Sequence, residues 1–340
     1  MNWRRVFSPL HLAAVGIFAV VLAAVLVLTT NSRDEYLLVP DQAHPLAHLV
    51  TVPNGKPSAN GGGIYYVDVL ERKASLLERI FPGLRDGSTI VQHNDLTPPG
   101  VTDAQRLQAD RLDMRLSQQV ASAVALRALG YKVRIKEYGV RVALVYGQTH
   151  SAGKLKADDV IVAADHKPVR STIDLHEILA AHKVGDAVPI TFVRGGKRQT
   201  VTITTSPDPF DDTRAILGIQ PQPALNLHVP FKIKFDLGDV GGPSAGLAFA
   251  LQILEEQGRD VDRGYKVAAT GTIAPDGTVG EIGGIEQKTI GARQSHVDVF
   301  LVPAGDNYRE AKRYAHGLRV VPVKTFQQAL HVLATLPRKP

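Results

Sequence analysis

Two residues able to act as nucleophile and base sit in segments that read as turns leading into helices. Ser244 lies in Gly238-Asp239-Val240-Gly241-Gly242-Pro243-Ser244-Ala245-Gly246, and Lys288 in Gly283-Gly284-Ile285-Glu286-Gln287-Lys288. A serine between a glycine-rich turn and a helix start suits attack on a carbonyl. Glycines admit a substrate backbone closely, and unpaired amides at a helix N-terminus can stabilise an oxyanion. The same residue types also cap helices, since serine is a favoured N-cap and proline is common in a first turn. Taken locally, both readings stay open. A serine nucleophile needs a base. Lysine on a helix is ordinarily a solvated cation, but buried beside a serine it loses its proton more readily. The neutral amine can then take the hydroxyl proton.

Other constellations compete. Gly242-x-Ser244-x-Gly246 also fits the nucleophile elbow of an α/β-hydrolase-type esterase, which would need Asp298 with His316 or His331; no HGGG-type segment precedes it. His176-Glu177 and His182 have the wrong spacing for two zinc ligands on one helix face. Ser151-Ala152-Gly153-Lys154 matches Ser-x-x-Lys but lacks the partner motifs. The glycines from Gly277 to Gly284 lack the strand-then-helix setting of a dinucleotide site, and Asp276-Gly277 reads as a hairpin turn. No metal site and no cofactor is expected.

The elements that must position Ser244 and Lys288 read as an α+β pattern. A β-prone run covers Ile64 to Leu70, and Thr102 or Asp103 can cap a long helix over 104–129 that Gly130 ends. A strand-rich unit follows, with strands at 140–146 and 160–164. Ser171 can cap a short helix, and a hairpin turns at Gly195-Gly196. Phe231 to Leu237 alternates as a half-buried strand, an apolar helix runs over 245–257, and strands and helices alternate from Lys266 onward.

Gly242-Pro243-Ser244-Ala245-Gly246, Ala269-Thr270-Gly271-Thr272-Ile273 and Ile282-Gly283-Gly284-Ile285-Glu286-Gln287-Lys288 together resemble the proteolytic domain of Lon peptidases. The resemblance implies a Ser-Lys dyad of Ser244 and Lys288, with Thr270 orienting Lys288 and amides near Gly241, Gly242 and Ser244 lining the oxyanion hole. Ala152 to Ile161 and Asp165 to Val169 resemble a PDZ domain, with Asp158 and His166 where that family usually has glycine; both tolerate positive φ. Such domains bind chain termini or extended segments by strand addition, and Glu137-Tyr138-Gly139-Val140 is the candidate carboxylate loop, with Tyr138, Gly139 and Val140 as its peptide-binding residues. The whole order resembles PDZ-containing Lon-like proteases of the bacterial cell envelope.

That resemblance implies a split domain: 61–130 and 207–340 proteolytic, 131–206 PDZ, with a juxtamembrane segment over 31–60. The expected activity is serine endopeptidase action on exposed or partly unfolded proteins, possible as a homo-oligomer such as a hexamer. No Gly-x-x-x-x-Gly-Lys-Ser/Thr motif occurs, so no use of ATP is expected. A catalytically inactive PDZ adaptor is the alternative.

The N-terminus reads as an anchor. Residues 10–30 carry no charge, about 21 residues spanning roughly 30 Å, enough for a bilayer core. Arg4 and Arg5 before it place residues 1–9 in the cytoplasm, which would put the rest of a single-pass cell-membrane protein outside. The chain of 340 residues has a net charge of +6 spread along its length, which argues against nucleic acid. It has no cysteine, excluding disulfides and thiolate chemistry.

Overall fold

The structure is a computed structural model and describes residues 9–56 and 60–339. Helix α1, Pro9–Leu28, forms where the anchor was expected. Among the described residues, however, no helix is long and apolar enough to cross a membrane. The transmembrane part of the expected fold is thereby corrected, and the single-pass cell-membrane location falls with it. Residues 1–8, assigned above to a cytoplasmic terminus, lie outside the described residues.

The α+β character holds. Strand β1, Gly63–Tyr66, is shorter than the β-prone run suggested, because the chain breaks at Val67 and Asp68 before a separate strand, Val69–Ser75. The latter joins Asn31–Pro40 and Thr89–Gln92 in a small antiparallel sheet. Helix α2, Asp103–Ala128, starts with a capping box. The Thr102 hydroxyl accepts from the Gln105 amide, and the Gln105 side chain accepts from the Thr102 amide.

The strand-rich unit is a sheet with its own core. Its strands are β2 (Arg134–Val145), β3 (Val160–Ala164), β4 (Ala187–Arg194), β5 (Lys197–Thr204) and β6 (Ile219–His228), in the order β5-β4-β3-β2-β6. Helix α3, Thr172–Ala180, lies against it, and Val140, Ile161, Leu175, Ile190 and Phe192 fill the space between. The β4–β5 hairpin turns at Gly195 and Gly196, both at positive φ as a two-residue type I′ turn requires. Asp158 and His166 also adopt positive φ, +74° and +59°. β2 and β6 pair along their whole length and form the ribbon that carries this unit; Ile135, Leu225 and Leu227 at its base pack into the main core.

The main core lies under a mostly parallel sheet made of β1, β7 (Lys266–Ala269), β8 (Val299–Pro303) and β9 (Arg319–Val323). β1 pairs in parallel with β7, Ile64 opposite Val267 and Tyr66 opposite Ala269, so residues far apart in the chain share one sheet. Val299 to Val302 are fully buried, as strands covered on both faces require. Helix α4, Gly246–Glu256, packs between α2 and the sheet, with Leu247, Leu251 and Leu254 against Val120 and Val124. Helix α5, Ile285–Gln294, covers the other face. The alternating run Phe231 to Leu237 forms only a two-residue strand, Lys234–Phe235, because its partner Val50–Thr51 is equally short.

Candidate active site

Ser244 is not a helix cap. The N-cap of α4 is Ala245, and no side chain caps that helix. Four hydrogen bonds instead fasten the loop that presents the serine. The Gly242 amide donates to the Asp110 carbonyl (2.8 Å), and the Ser117 hydroxyl donates to the Pro243 carbonyl (3.1 Å). The Ser244 carbonyl accepts from the Gly271 amide (2.8 Å) and from the Thr270 hydroxyl (3.2 Å). Helix α2 thus grips one side of the loop, and the end of β7 grips the other. Gly246 permits this closeness: a Cβ there would lie 2.9 Å from both Ile273 Cγ2 and Ser117 Oγ.

Lys288 approaches from α5. Gly284 precedes that helix at φ +66°, with Val69 Cγ2 where its Cβ would sit, so the helix starts tight against the small sheet. Lys288 is 5% exposed, and its Nζ lies 2.9 Å from Ser244 Oγ. Burial pushes the ammonium down from its ordinary 10.5 to about 8, while the Asp68 carboxylate pulls the other way. The pair therefore has the geometry and the proton affinity of a nucleophile and its base.

Asp68 follows β1 as Thr270 follows β7, so parallel pairing of those strands brings both to one end of the sheet. Burial raises the Asp68 pKa, with the Asp41 charge adding to it and His44 and Lys288 opposing. One Asp68 oxygen is buried without a hydrogen-bond partner. His44 Nε2 lies 3.3 Å from Asp41 and 3.6 Å from Asp68, so the imidazole links the two carboxylates. Asp41, His44 and Asp68 bring three possible metal ligands within 4.8 Å of one another, as do Glu255, Asp260 and Asp262.

Of the residues expected at the site, Ser244, Lys288 and Thr270 come together. The Thr270 hydroxyl reaches the Ser244 carbonyl, holding the serine's backbone. The Gly242 amide is committed to Asp110, whereas the Ser244 and Ala245 amides have no acceptor among the described residues. Gly241 serves close packing, since a Cβ there would lie 2.8 Å from Asp110 Cβ. Asp68, Asp110 and Ser117 were missed. Asp68 carries a faint signal, a charge closing the apolar run 64–67, and Ser117 is a polar residue on the buried face of α2.

The carboxylate loop expected at Glu137, Tyr138, Gly139 and Val140 forms part of the ribbon with β6, and of these residues only Val140 also pairs with β3. These residues belong to β2, which pairs with β3 on one side and β6 on the other. Tyr138 is the extra residue of a bulge opposite Ala224 and Leu225, Gly139 packs with no room for a Cβ beside the Ile161 carbonyl, and Val140 is buried. The edge strands of this sheet are β5 and β6, and β6 follows Leu217 and Gly218.

Comparison with known proteins agrees with both units. The family model described as "PDZ domain" matches residues 127–205, and that described as "Lon protease (S16) C-terminal proteolytic domain" matches residues 225–335. Serine protease Do-like HtrA of Lactobacillus helveticus is 40% identical over 83 residues, covering 22% of this chain and 20% of that protein. Lon protease 2 of Bacillus subtilis is 31% identical over 113 residues, 33% of this chain and 19% of that protein. Lon protease of Neorickettsia sennetsu is 34% identical over 109 residues, 31% of this chain and 13% of that protein. The matches span a fifth or less of these curated relatives' length. A PDZ domain and a Lon-type proteolytic domain are both present in this chain.

Proposed function

We propose that the chain is a serine endopeptidase in which Ser244 is the nucleophile and Lys288 the general base. The observation that carries this reading is the 2.9 Å approach of a buried lysine, its pKa lowered to about 8, to a serine that caps no helix. The neutral Lys288 amine takes the Ser244 proton as Oγ bonds to the substrate carbonyl carbon. The Ser244 and Ala245 amides receive the developing oxyanion. Lys288 then returns the proton to the departing amine as the peptide C–N bond breaks. A water, deprotonated by the same amine, hydrolyses the acyl-serine and restores both groups.

In this reading the proteolytic domain is split into 61–130 and 207–340 around a PDZ unit at 131–206; the pairing of β1 with β7 supports the split. Hydrolysis at such a dyad needs no nucleotide, and the substrates are exposed or partly unfolded chains. The PDZ unit takes peptide ends at the β6 edge, because β6 is an edge strand of the sheet and helix α3 packs beside it. Casein or fluorogenic-peptide cleavage by the wild type, Ser244→Ala and Lys288→Ala, with and without ATP, tests the reading. Loss of cleavage in both variants and indifference to ATP are expected. Undiminished cleavage by Lys288→Ala would remove the dyad from the mechanism.

A further inference from the structure

The β6 edge departs from an ordinary strand-accepting edge in one respect. Tyr146 donates its amide to the Gly218 carbonyl (3.0 Å), and Ile219 stands opposite Val145. That pairing turns the Ile219 N–H and C=O away from β2. Two residues on, Pro221 stands opposite Val142, whose amide donates to the Asp159 carbonyl (2.8 Å) and whose carbonyl accepts from the Asp158 amide (2.8 Å). Val142 therefore spends both backbone groups on the β3 side, and Pro221 faces the open edge. A bulge at Ala143 precedes this pair, and from Pro221 the register runs unbroken to Pro223 opposite Val140, so Pro223 faces the same way. Beyond Ile219, the next two outward positions have carbonyls but no N–H. Proline is tolerated in sheets at such positions because nothing there asks it to donate.

At the head of the strand the chemistry differs. Gly218 adopts φ +71°, and the Leu217 and Gly218 amides have no acceptor among the described residues. Ser151 and Tyr146 hold the carbonyls of Leu217 and Gly218 from behind. Consecutive unpaired amides around a left-handed glycine form a concavity suited to a carboxylate.

We infer that this groove reads only the end of a chain: a free C-terminal carboxylate and the residue or two before it. Pro221 and Pro223 stop a bound peptide from continuing as an added strand. The partner is a C-terminal tail whose earlier residues leave the edge, since their carbonyls would find no donor there. The inference rests on the reading of residues 131–206 as a peptide-binding unit.

The test uses the full chain carrying Ser244→Ala, to prevent cleavage, and fluorescein-labelled hexapeptides randomised at the last two positions. The tightest hexapeptide is compared with its C-terminal tripeptide and its C-terminal amide by fluorescence anisotropy. Hexapeptide and tripeptide should bind within about threefold of one another, and the amide should not bind. Restoring the donors with Pro221→Ala plus Pro223→Ala should tighten the hexapeptide about tenfold and leave the tripeptide unchanged. Pro221→Ala alone, at an exposed position, should give part of the same gain. A hexapeptide already tenfold tighter than the tripeptide, or no gain on restoring the donors, overturns the inference while peptide binding stands. Absence of binding in every form, or binding indifferent to amidation, overturns the peptide-binding reading itself.

Discussion

Asp68→Asn should shift the acid limb of the pH–rate profile to lower pH. A lysine at the ordinary 10.5 would be neutral in about one molecule in 3,000 at pH 7. Burial of Lys288 lowers its pKa to about 8, which makes it neutral in about one molecule in eleven at pH 7 and half of all molecules at pH 8. The wild-type rate should therefore rise about tenfold between pH 7 and pH 9, provided proton removal from Ser244 depends on the neutral amine. Asp68 works against this by favouring the ammonium. Asparagine keeps the volume and removes the charge, so burial then acts alone and the lysine pKa falls further. Asp41 and His44, the groups that face Asp68, are left in place. The measurement is kcat/KM on a fluorogenic peptide across the range at constant ionic strength. A limb that stays put or moves up in Asp68→Asn, or a wild-type rate that is flat from pH 7 to 9, would refute the electrostatic reasoning. A lower plateau with an unmoved limb would leave Asp68 a packing role only.

Lys288→Met should abolish cleavage yet stabilise the fold at neutral pH. The folded state releases the Lys288 proton near 8 and the unfolded state near 10.5, so stability rises with pH through that window. Below it the buried ammonium costs up to about 3 kcal/mol, which methionine removes. Urea unfolding at pH 7 and pH 10 checks this, and a variant less stable than wild type at pH 7 contradicts it. Ser117→Ala removes the donor to the Pro243 carbonyl, which should cost about 1 kcal/mol of stability. It should also lower kcat more than it changes KM, because the contact positions the nucleophile loop; steady-state kinetics with thermal unfolding separates the two effects.

The segments that carry chemistry were legible because they are local. A glycine turn, a serine and an apolar helix start, or a glycine pair before a helix, need only neighbouring residues to be recognised. The Thr102 cap and the Gly195-Gly196 hairpin were legible for the same reason: each rests on hydrogen bonds or φ values confined to a few residues. What long-range pairing decides was not. Asp68 reaches the site only because β1 pairs with β7, and Asp110 and Ser117 grip the loop only because α2 packs on α4. That the expected carboxylate loop at 137–140 lies inside the long ribbon of β2 and β6 is likewise a matter of long-range pairing. Similarly, the apolar stretch at 10–30 reads as an anchor by composition, while among the described residues no helix is long and apolar enough to cross a membrane.

Helix α2 joins the two units through groups within one turn of each other. Its Asp110 carbonyl holds the Gly242 amide, and one turn along, the Asp113 carboxylate accepts the side-chain amide of Gln222. Gln222 sits on β6 between Pro221 and Pro223, the residues that bound the open edge. Burial, then the nearby Asp110 charge, pushes the Asp113 carboxyl up to about 6, and the Gln222 hydrogen bond partly offsets this. A carboxylate kept in so unfavourable a place is held there by its partner, since losing Gln222 would leave it buried and less satisfied. The ribbon that carries the peptide-binding unit and the loop that carries the nucleophile are thus fastened to neighbouring turns of one helix. Displacement of β6 along its axis would have to break the Gln222 contact or move the turn of α2 that fixes Gly242.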